Sequence, residues 1–127
     1  MTRQRAQTTV LVVEDDDLLR ETIEVLLGRK GRTVLVAHDA PGALATARRH
    51  PDPIDLLVTD LALAGGDGLA LASELESRSR GLKILFISGY PVAAAQAAAL
   101  RGEGRGFIAK PFTPAALEGA VAALLGG

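Results

Sequence analysis

The sequence contains no cysteine and no tryptophan, and aromatic residues make up only 3% of its 127 residues. The lack of cysteine excludes disulfide bonds, thiolate metal sites and cysteine nucleophiles. Because hydrophobic residues still reach 48%, the core has to be built from aliphatic side chains rather than from large rings. A chain of this length fits one domain, and we expect a single domain over residues 1–127 with its core from about residue 9 to 125.

Long apolar runs are also missing. No segment approaches the roughly 18 apolar residues needed to cross a bilayer, and residues 1–9 lack the apolar centre of a secretion signal. We therefore expect a cytoplasmic protein without membrane contacts. The formal net charge is only −1, and the basic residues are scattered near the ends of candidate helices, where cations oppose the helix dipole. This pattern favours helix stabilisation over direct nucleic-acid binding, which needs a concentrated basic face.

Short apolar runs alternate with longer amphipathic segments along the chain. The apolar runs predict strands at residues 10–13, 33–37, 54–59, 82–87 and 106–109. The segments between and after them predict helices at about 16–29, 40–49, 67–78, 91–101 and 113–125, with Asp67 and Thr113 at N-cap positions. Five successive strand–helix units predict an α/β fold, a doubly wound parallel five-stranded sheet with helices on both faces.

Polar residues follow the predicted strands at the points where four of them end. They are the acidic run Glu14-Asp15-Asp16, then Asp60, Ser88 and the segment Lys110-Pro111-Phe112. Because the carboxyl ends of parallel strands share one edge of an open sheet, these residues are expected to meet in a single crevice. A cluster of acids with a hydroxyl and a lysine suits phosphoryl chemistry.

These motifs, in this order and spacing, resemble the receiver domain of two-component response regulators across essentially the whole chain. The residues that carry the resemblance are Val10–Asp16, Asp55–Asp60, the turn Gly65–Gly68 that follows Asp60, Ile84–Tyr90 and Phe107–Phe112. The resemblance implies the flavodoxin-like (βα)5 fold with strand order 2-1-3-4-5. The local sequence around Ser88-Gly89-Tyr90 and Lys110-Pro111 is similar to that of receivers attached to hybrid histidine kinases.

The acidic residues imply a bound cation. Glu14, Asp15 and Asp60 would bring up to three like charges into one pocket, which is unfavourable unless a divalent ion joins them. Mg²⁺ fits because it prefers oxygen ligands and commonly combines one or two carboxylates with a phosphate; Mn²⁺ is an alternative. By resemblance, Asp15, Asp60 and the backbone carbonyl of Ala62 bind the ion directly, and Glu14 binds it through water. Asp16 is either a helix cap or a solvated residue.

The resemblance also implies roles for Asp60, Lys110, Ser88 and Phe107. Asp60 is expected to accept a phosphoryl group from a phosphohistidine of a histidine kinase or histidine phosphotransfer protein. Lys110, placed by a cis peptide to Pro111, would neutralise charge on that group. Ser88 is the expected hydroxyl switch, and Phe107 is either the coupled switch aromatic or a core residue. Phosphorylation would then change the surface of the fourth helix, fifth strand and fifth helix, where a downstream protein binds.

Other functional classes remain open at the level of sequence. The protein is expected to be a signalling receiver that catalyses only its own phosphorylation and dephosphorylation, not a metabolic enzyme. The main alternative is a phosphorylation-independent docking module on the same fold. A flavin carrier would need a phosphate-binding loop and stacking aromatics, and a phosphatase commonly has a second acid where Ala62 stands. His38 and His50 do not suggest a phosphohistidine relay, and His50 is expected at a helix end.

Overall fold

The computed structural model describes residues 8–63, 66–89 and 103–126. In chain order its strands are β1 (Thr9–Val13), β2 (Thr33–Ala37), β3 (Leu56–Asp60), β4 (Ala62–Leu63), β5 (Gly66–Asp67), β6 (Lys83–Ser88) and β7 (Arg105–Ala109). Five of them form a parallel sheet in the order β2-β1-β3-β6-β7. Since β6 and β7 are the fourth and fifth strands of that sheet, the predicted order 2-1-3-4-5 is confirmed.

The described helices are α1 (Asp17–Gly28), α2 (Ala40–Arg49), α3 (Gly68–Arg78) and the C-terminal helix (Pro114–Leu125). Each begins within a residue or so of its predicted start because a side-chain oxygen caps it. Asp16, Asp39, Asp67 and Thr113 accept hydrogen bonds from backbone N–H groups of the first turns. The helix predicted at 91–101 lies outside the described residues.

The sheet separates two apolar layers, as expected for strands covered on both faces. β1, β3 and β6 are the central strands, and the odd and even residues of β1 enter opposite layers. One layer lies against α2 and α3 and includes Phe86, a fully buried aromatic side chain. The other lies against α1 and the C-terminal helix. None of the described helices is long and apolar enough to cross a membrane.

Two local features differ from the predictions. The third strand begins at Leu56 rather than at residue 54, because Pro53 has no N–H to donate to a neighbouring strand. The segment after Asp60, expected to be a simple turn, contains the short antiparallel pair β4–β5, in which Ala62 faces Asp67. This pair leads directly into α3 and fixes the distance between Asp60 and the start of that helix.

A long-range ion pair joins the turn before β2 to the C-terminal helix. The two guanidinium nitrogens of Arg32 lie 2.9 and 2.5 Å from the two carboxylate oxygens of Glu118, and the Arg32 side chain is only 11% exposed. The hydrogen bonds from Arg32 hold the pKa of Glu118 below its ordinary value. Arg32 also donates to the Leu27 carbonyl in the last turn of α1 (3.2 Å), so that its contacts link α1 to the C-terminal helix.

Glu118→Gln is expected to lower the free energy of unfolding by about 1 kcal/mol near neutral pH. Because the pKa of Glu118 is lowered in the folded state, its contribution is present above the ordinary glutamate pKa of about 4.3 and is lost as the pH falls through the folded-state value. Urea unfolding at neutral and acidic pH measures the difference. Glu21→Gln, at an exposed position of α1, is the control. An equal loss of stability in both variants, or one that persists in acid, would contradict this role.

Candidate functional site

The ends of four strands place the predicted polar residues along one edge of the sheet. Glu14 follows β1, Asp60 ends β3, Ser88 ends β6, and Lys110 follows β7. Backbone hydrogen bonds continue the sheet register through these positions. The N–H of Glu14 donates to Ala37 (3.1 Å), and the N–H of Lys110 donates to Ser88 (2.9 Å). The crevice expected from the sequence is therefore formed by backbone geometry, independently of any contact between the side chains.

Three carboxylates meet in this crevice. One oxygen from each of Glu14, Asp15 and Asp60 lies within 4.8 Å of the other two. Glu14 is fully buried, Asp60 is 5% exposed, and Asp15 is open to solvent. Burial is the largest cause of a raised pKa at Glu14, and the nearby Asp60 carboxyl adds to it. Burial and a neighbouring carboxyl therefore both oppose ionisation of Glu14.

Lys110 partly compensates the negative charge of these carboxylates. Its ammonium nitrogen lies 2.9 Å from Asp60 Oδ1 and 3.1 Å from Glu14 Oε1. Burial by itself would lower the pKa of Lys110, but the hydrogen bonds and charges of Asp60 and Glu14 outweigh it, so that the pKa is raised. Lys110 is thus held as a cation beside Asp60. The peptide bond between Lys110 and Pro111 is cis, as the resemblance implied.

The four consecutive acids of residues 14–17 have different environments. Glu14 Oε2 accepts the N–H of Asp16 (3.0 Å), and Asp16 Oδ1 accepts the N–H of Leu19 (3.0 Å). Asp16 is therefore a helix cap, which resolves the alternative that the sequence left open. Asp17 accepts a hydrogen bond from Arg20. Asp15 alone in this run has a carboxylate with no hydrogen-bond or ion-pair partner among the described residues, so it is available to a ligand.

The Asp60 backbone is fixed by close packing that the sequence did not reveal. A Cβ atom built on Gly68 would overlap the Asp60 carbonyl oxygen and would lie 3.1 Å from the Cα of Leu61. The Gly68 N–H donates to the Leu61 carbonyl (2.8 Å), and Thr59 Oγ1 donates to the Asp60 carbonyl (3.0 Å). Only glycine fits at position 68. The Gly-rich turn after Asp60 was visible in the sequence, but the contact depends on the β4–β5 pair.

The remaining predicted residues lie around this cluster. Ser88 is half-buried at the end of β6, and Ala62 is exposed in β4, two residues after Asp60. Phe107 is half-buried on β7, opposite Phe86, and packs against the apolar layer beneath α2 and α3. His50 is the C-cap of α2, as expected for a helix-end residue. His38 is exposed, follows the end of β2, and lies 3.4 Å from Asp39.

The residues present fit a hard divalent cation. The cluster offers only oxygen ligands, which is the set that Mg²⁺ prefers. Glu14 Oε1 is buried without an aligned hydrogen bond from any described residue, although Lys110 lies close enough for an ion pair. A buried polar atom of this kind is commonly satisfied by water or an ion.

The sequence model of the response regulator receiver domain matches residues 10–122. The chain belongs to this family. Among curated relatives, this receiver is 35% identical over 108 residues to the transcriptional regulatory protein AruR of Pseudomonas aeruginosa, covering 83% of the chain and 44% of AruR. It is 33% identical over 119 residues to the transcriptional regulatory protein FixJ of Azorhizobium caulinodans, covering 92% of the chain and 54% of FixJ.

Solved structures agree with the receiver fold. The receiver domain from the hybrid histidine kinase CckA superimposes with a TM-score of 0.78 at 32% identity, covering 92% of this receiver and 98% of that chain. The chemotaxis protein CheY4 of Vibrio cholerae superimposes with a TM-score of 0.84 at 23% identity, covering 94% and 100%, which supports the fold alone. The chain spans about half the length of the curated relatives it matches, and those relatives are named as transcriptional regulatory proteins.

Proposed function

We propose that Asp60 accepts a phosphoryl group from a phosphohistidine of a histidine kinase or histidine phosphotransfer protein. The observation that carries the proposal is the Asp60 carboxylate itself. It lies at the end of a central strand, nearly buried, with a lysine ammonium at 2.9 Å and two further carboxylates beside it. Membership of the receiver family supports the same role.

The residues of the chain account for the transfer step. An Asp60 carboxylate oxygen forms a bond to phosphorus while the bond from phosphorus to the histidine nitrogen breaks, and the released imidazole takes a proton from solvent. Such a carboxylate needs positioning and charge neutralisation more than a strong base. The packing of Gly68 against the Asp60 backbone supplies the positioning. Lys110 supplies a fixed cation for the phosphoryl oxygens.

A divalent cation completes the proposed site. Asp15, Asp60 and the Ala62 backbone carbonyl are its proposed direct ligands, with Glu14 acting through water. Mg²⁺ is the proposed ion, with Mn²⁺ as an alternative. When bound, the ion neutralises charge on the carboxylates and on the phosphoryl group. The carboxylate of Asp15 has no partner among the described residues and lies within 4.8 Å of oxygens of Glu14 and Asp60, which supports this assignment.

An apolar groove beside Lys110 provides a place for the phosphodonor protein. The groove has a volume of about 450 Å³ and runs between α1 and the start of the C-terminal helix; its lining residues are Leu19, Thr22, Leu26, Lys110, Pro111, Phe112 and Pro114. Leu18 and Val25 on α1 are 74% and 58% exposed, which is high for large apolar side chains. A partner docked here would bring its phosphohistidine to the same edge of the sheet as Asp60.

The proposed output is a change in the surface formed by the predicted helix at 91–101, β7 and the C-terminal helix. Ser88 would donate a hydrogen bond to a phosphoryl oxygen and draw its own loop inward. Phe107 would then move into the space that the Ser88 loop had occupied. Phe107 lies on β7, two residues after Arg105, and packs against the apolar layer beneath α2 and α3. A movement of its side chain would therefore alter the surface on that face of the sheet. A downstream protein is the proposed reader of that surface.

Intact mass after incubation with acetyl phosphate and Mg²⁺ tests the proposal. The wild-type protein is expected to gain one phosphoryl group, the gain should disappear when EDTA replaces Mg²⁺, and Asp60→Asn should show none. Asp52→Asn, an exposed aspartate at the opposite end of β3, is the control and should react as the wild type does. If neither acetyl phosphate nor a phosphorylated kinase modifies the wild type, the phosphorylation-independent docking module becomes the better account.

A further inference from the structure

Arg20 is a largely buried cation at the edge of the acidic cluster. It lies in the first turns of α1, and its side chain is only 17% exposed, whereas its partner Asp17 is 82% exposed. One guanidinium nitrogen donates to the Glu14 backbone carbonyl (2.9 Å), and another donates to Asp17 Oδ1 (2.7 Å). The side chain therefore folds back over the loop between β1 and α1 instead of extending into solvent.

This contact completes a set of hydrogen bonds around Asp15. On one side, the Glu14 carbonyl is held by Arg20, and the Glu14 side chain is held by the Asp16 N–H. On the other side, Asp16 caps α1, and its carbonyl accepts the Arg20 N–H (2.9 Å). Both neighbours of Asp15 are thus fixed while its own carboxylate remains without a partner among the described residues. Such an arrangement fixes the backbone position from which Asp15 can reach an ion before any ion binds.

We propose that Arg20 is a positioning residue of the cation site, acting through the Glu14 carbonyl and Asp17 to hold the loop that presents Asp15. This inference rests on the proposed Mg²⁺ site and adds a residue that the site's own ligand set does not contain. Residues that orient metal ligands typically change metal affinity by about 10- to 100-fold when they are removed. The planar guanidinium suits this role because its nitrogens donate in fixed directions, whereas an ammonium group is a compact charge on a flexible stem.

A positioning role and a purely electrostatic role for Arg20 predict opposite changes in Mg²⁺ affinity when Arg20 is removed. If Arg20 acted only as a nearby cation, its removal would strengthen Mg²⁺ binding, and the change would fade at high ionic strength, where exposed charges are screened. If Arg20 positions the loop, its removal weakens Mg²⁺ binding and the change persists in salt. The sign and the salt dependence of the change therefore separate the two roles.

The test is a Mg²⁺ titration, monitored by NMR of the backbone amides and carried out at low and at high ionic strength. The proteins compared are the wild type, Arg20→Met, Arg20→Lys and Arg29→Met. Arg29→Met is the matched control, because it removes the same charge from the exposed C-cap at the far end of α1. We expect the Mg²⁺ dissociation constant of Arg20→Met to rise at least about tenfold, with an intermediate rise in Arg20→Lys and none in Arg29→Met. Urea unfolding of all four proteins verifies that each is folded during the titration.

Several outcomes would overturn the inference. Equal Mg²⁺ affinity in Arg20→Met and Arg29→Met would remove the positioning role while leaving the cation site intact. Tighter binding in Arg20→Met that fades at high ionic strength would assign Arg20 an effect of charge alone. Full recovery in Arg20→Lys would overturn the two-acceptor guanidinium contact as the source of the positioning. Failure of the wild type itself to bind Mg²⁺ would overturn the proposed cation site and, with it, the role of Arg20.

Discussion

Lys110→Met is expected to slow phosphorylation of Asp60 by roughly 100-fold or more, the usual consequence of removing one fixed donor from a site of developing charge. Lys110 follows the end of β7, and its ammonium lies 2.9 Å from Asp60 and 3.1 Å from Glu14. Without the Lys110 ammonium, the phosphoryl oxygens lose the protein cation that neutralises them. The pKa of Glu14 should also rise further, because the hydrogen bond from Lys110 lowers it. Methionine retains the apolar stem, so that packing is little changed.

The rate of adduct formation with acetyl phosphate and Mg²⁺, followed by intact mass, measures this effect. Lys30→Met is the control, because it removes an exposed lysine beyond the far end of α1 with the same change in charge. The control should react at the wild-type rate. A Lys110→Met rate within a factor of about three of the wild type would mean that Lys110 is a structural partner of Glu14 and not part of the reaction site.

Gly68→Ala is expected to destabilise the fold by about 3 kcal/mol, at the upper end of the range for inserting an extra carbon into a packed region. The new Cβ would overlap the Asp60 carbonyl oxygen and crowd the Leu61 Cα, and both are backbone atoms that cannot rotate away. To remove this overlap, the end of β3 and the connection to β4 have to shift, and Asp60 is the last residue of β3. The variant should therefore lose phosphorylation rate as well as stability.

Gly119→Ala provides a matched control within another helix. A Cβ on Gly119 meets nothing within 4 Å, so alanine there should stabilise the protein by up to about 1 kcal/mol through helix propensity. Thermal or urea unfolding measures both variants. The two glycine substitutions are expected to change stability in opposite directions, and a Gly68→Ala protein as stable as the wild type would show that the β3–β4 connection adapts without cost.

Much of the fold could be predicted because its signals are local. The apolar runs placed the five sheet strands to within two residues, and the capping residues Asp67 and Thr113 placed the starts of two helices. The position of polar residues after the strands predicted the crevice, because parallel strands end at one edge of the sheet. The strand order itself came from the family resemblance.

What the sequence did not predict depends on contacts between distant segments. Arg32 and Glu118 are 86 positions apart, and nothing in their local sequence indicates that they pair. Gly68 appeared to be a turn residue, and its contact with Asp60 arises only because the β4–β5 pair returns the chain to that point. Similarly, the sequence left Asp16 as either a helix cap or a solvated residue, and only the hydrogen bond from the Leu19 N–H shows that it is the cap.

Locating the phosphoryl group is the measurement that tests the central claim most directly. The phosphorylated protein would be trapped by borohydride reduction of the acyl phosphate, digested, and mapped by peptide mass spectrometry. Modification is expected only in the peptide containing Asp60, only after incubation with Mg²⁺, and not in Asp60→Asn. Modification of Asp15, of any other acid, or of the Asp60→Asn protein to the same extent would contradict the assignment of Asp60 as the phospho-acceptor.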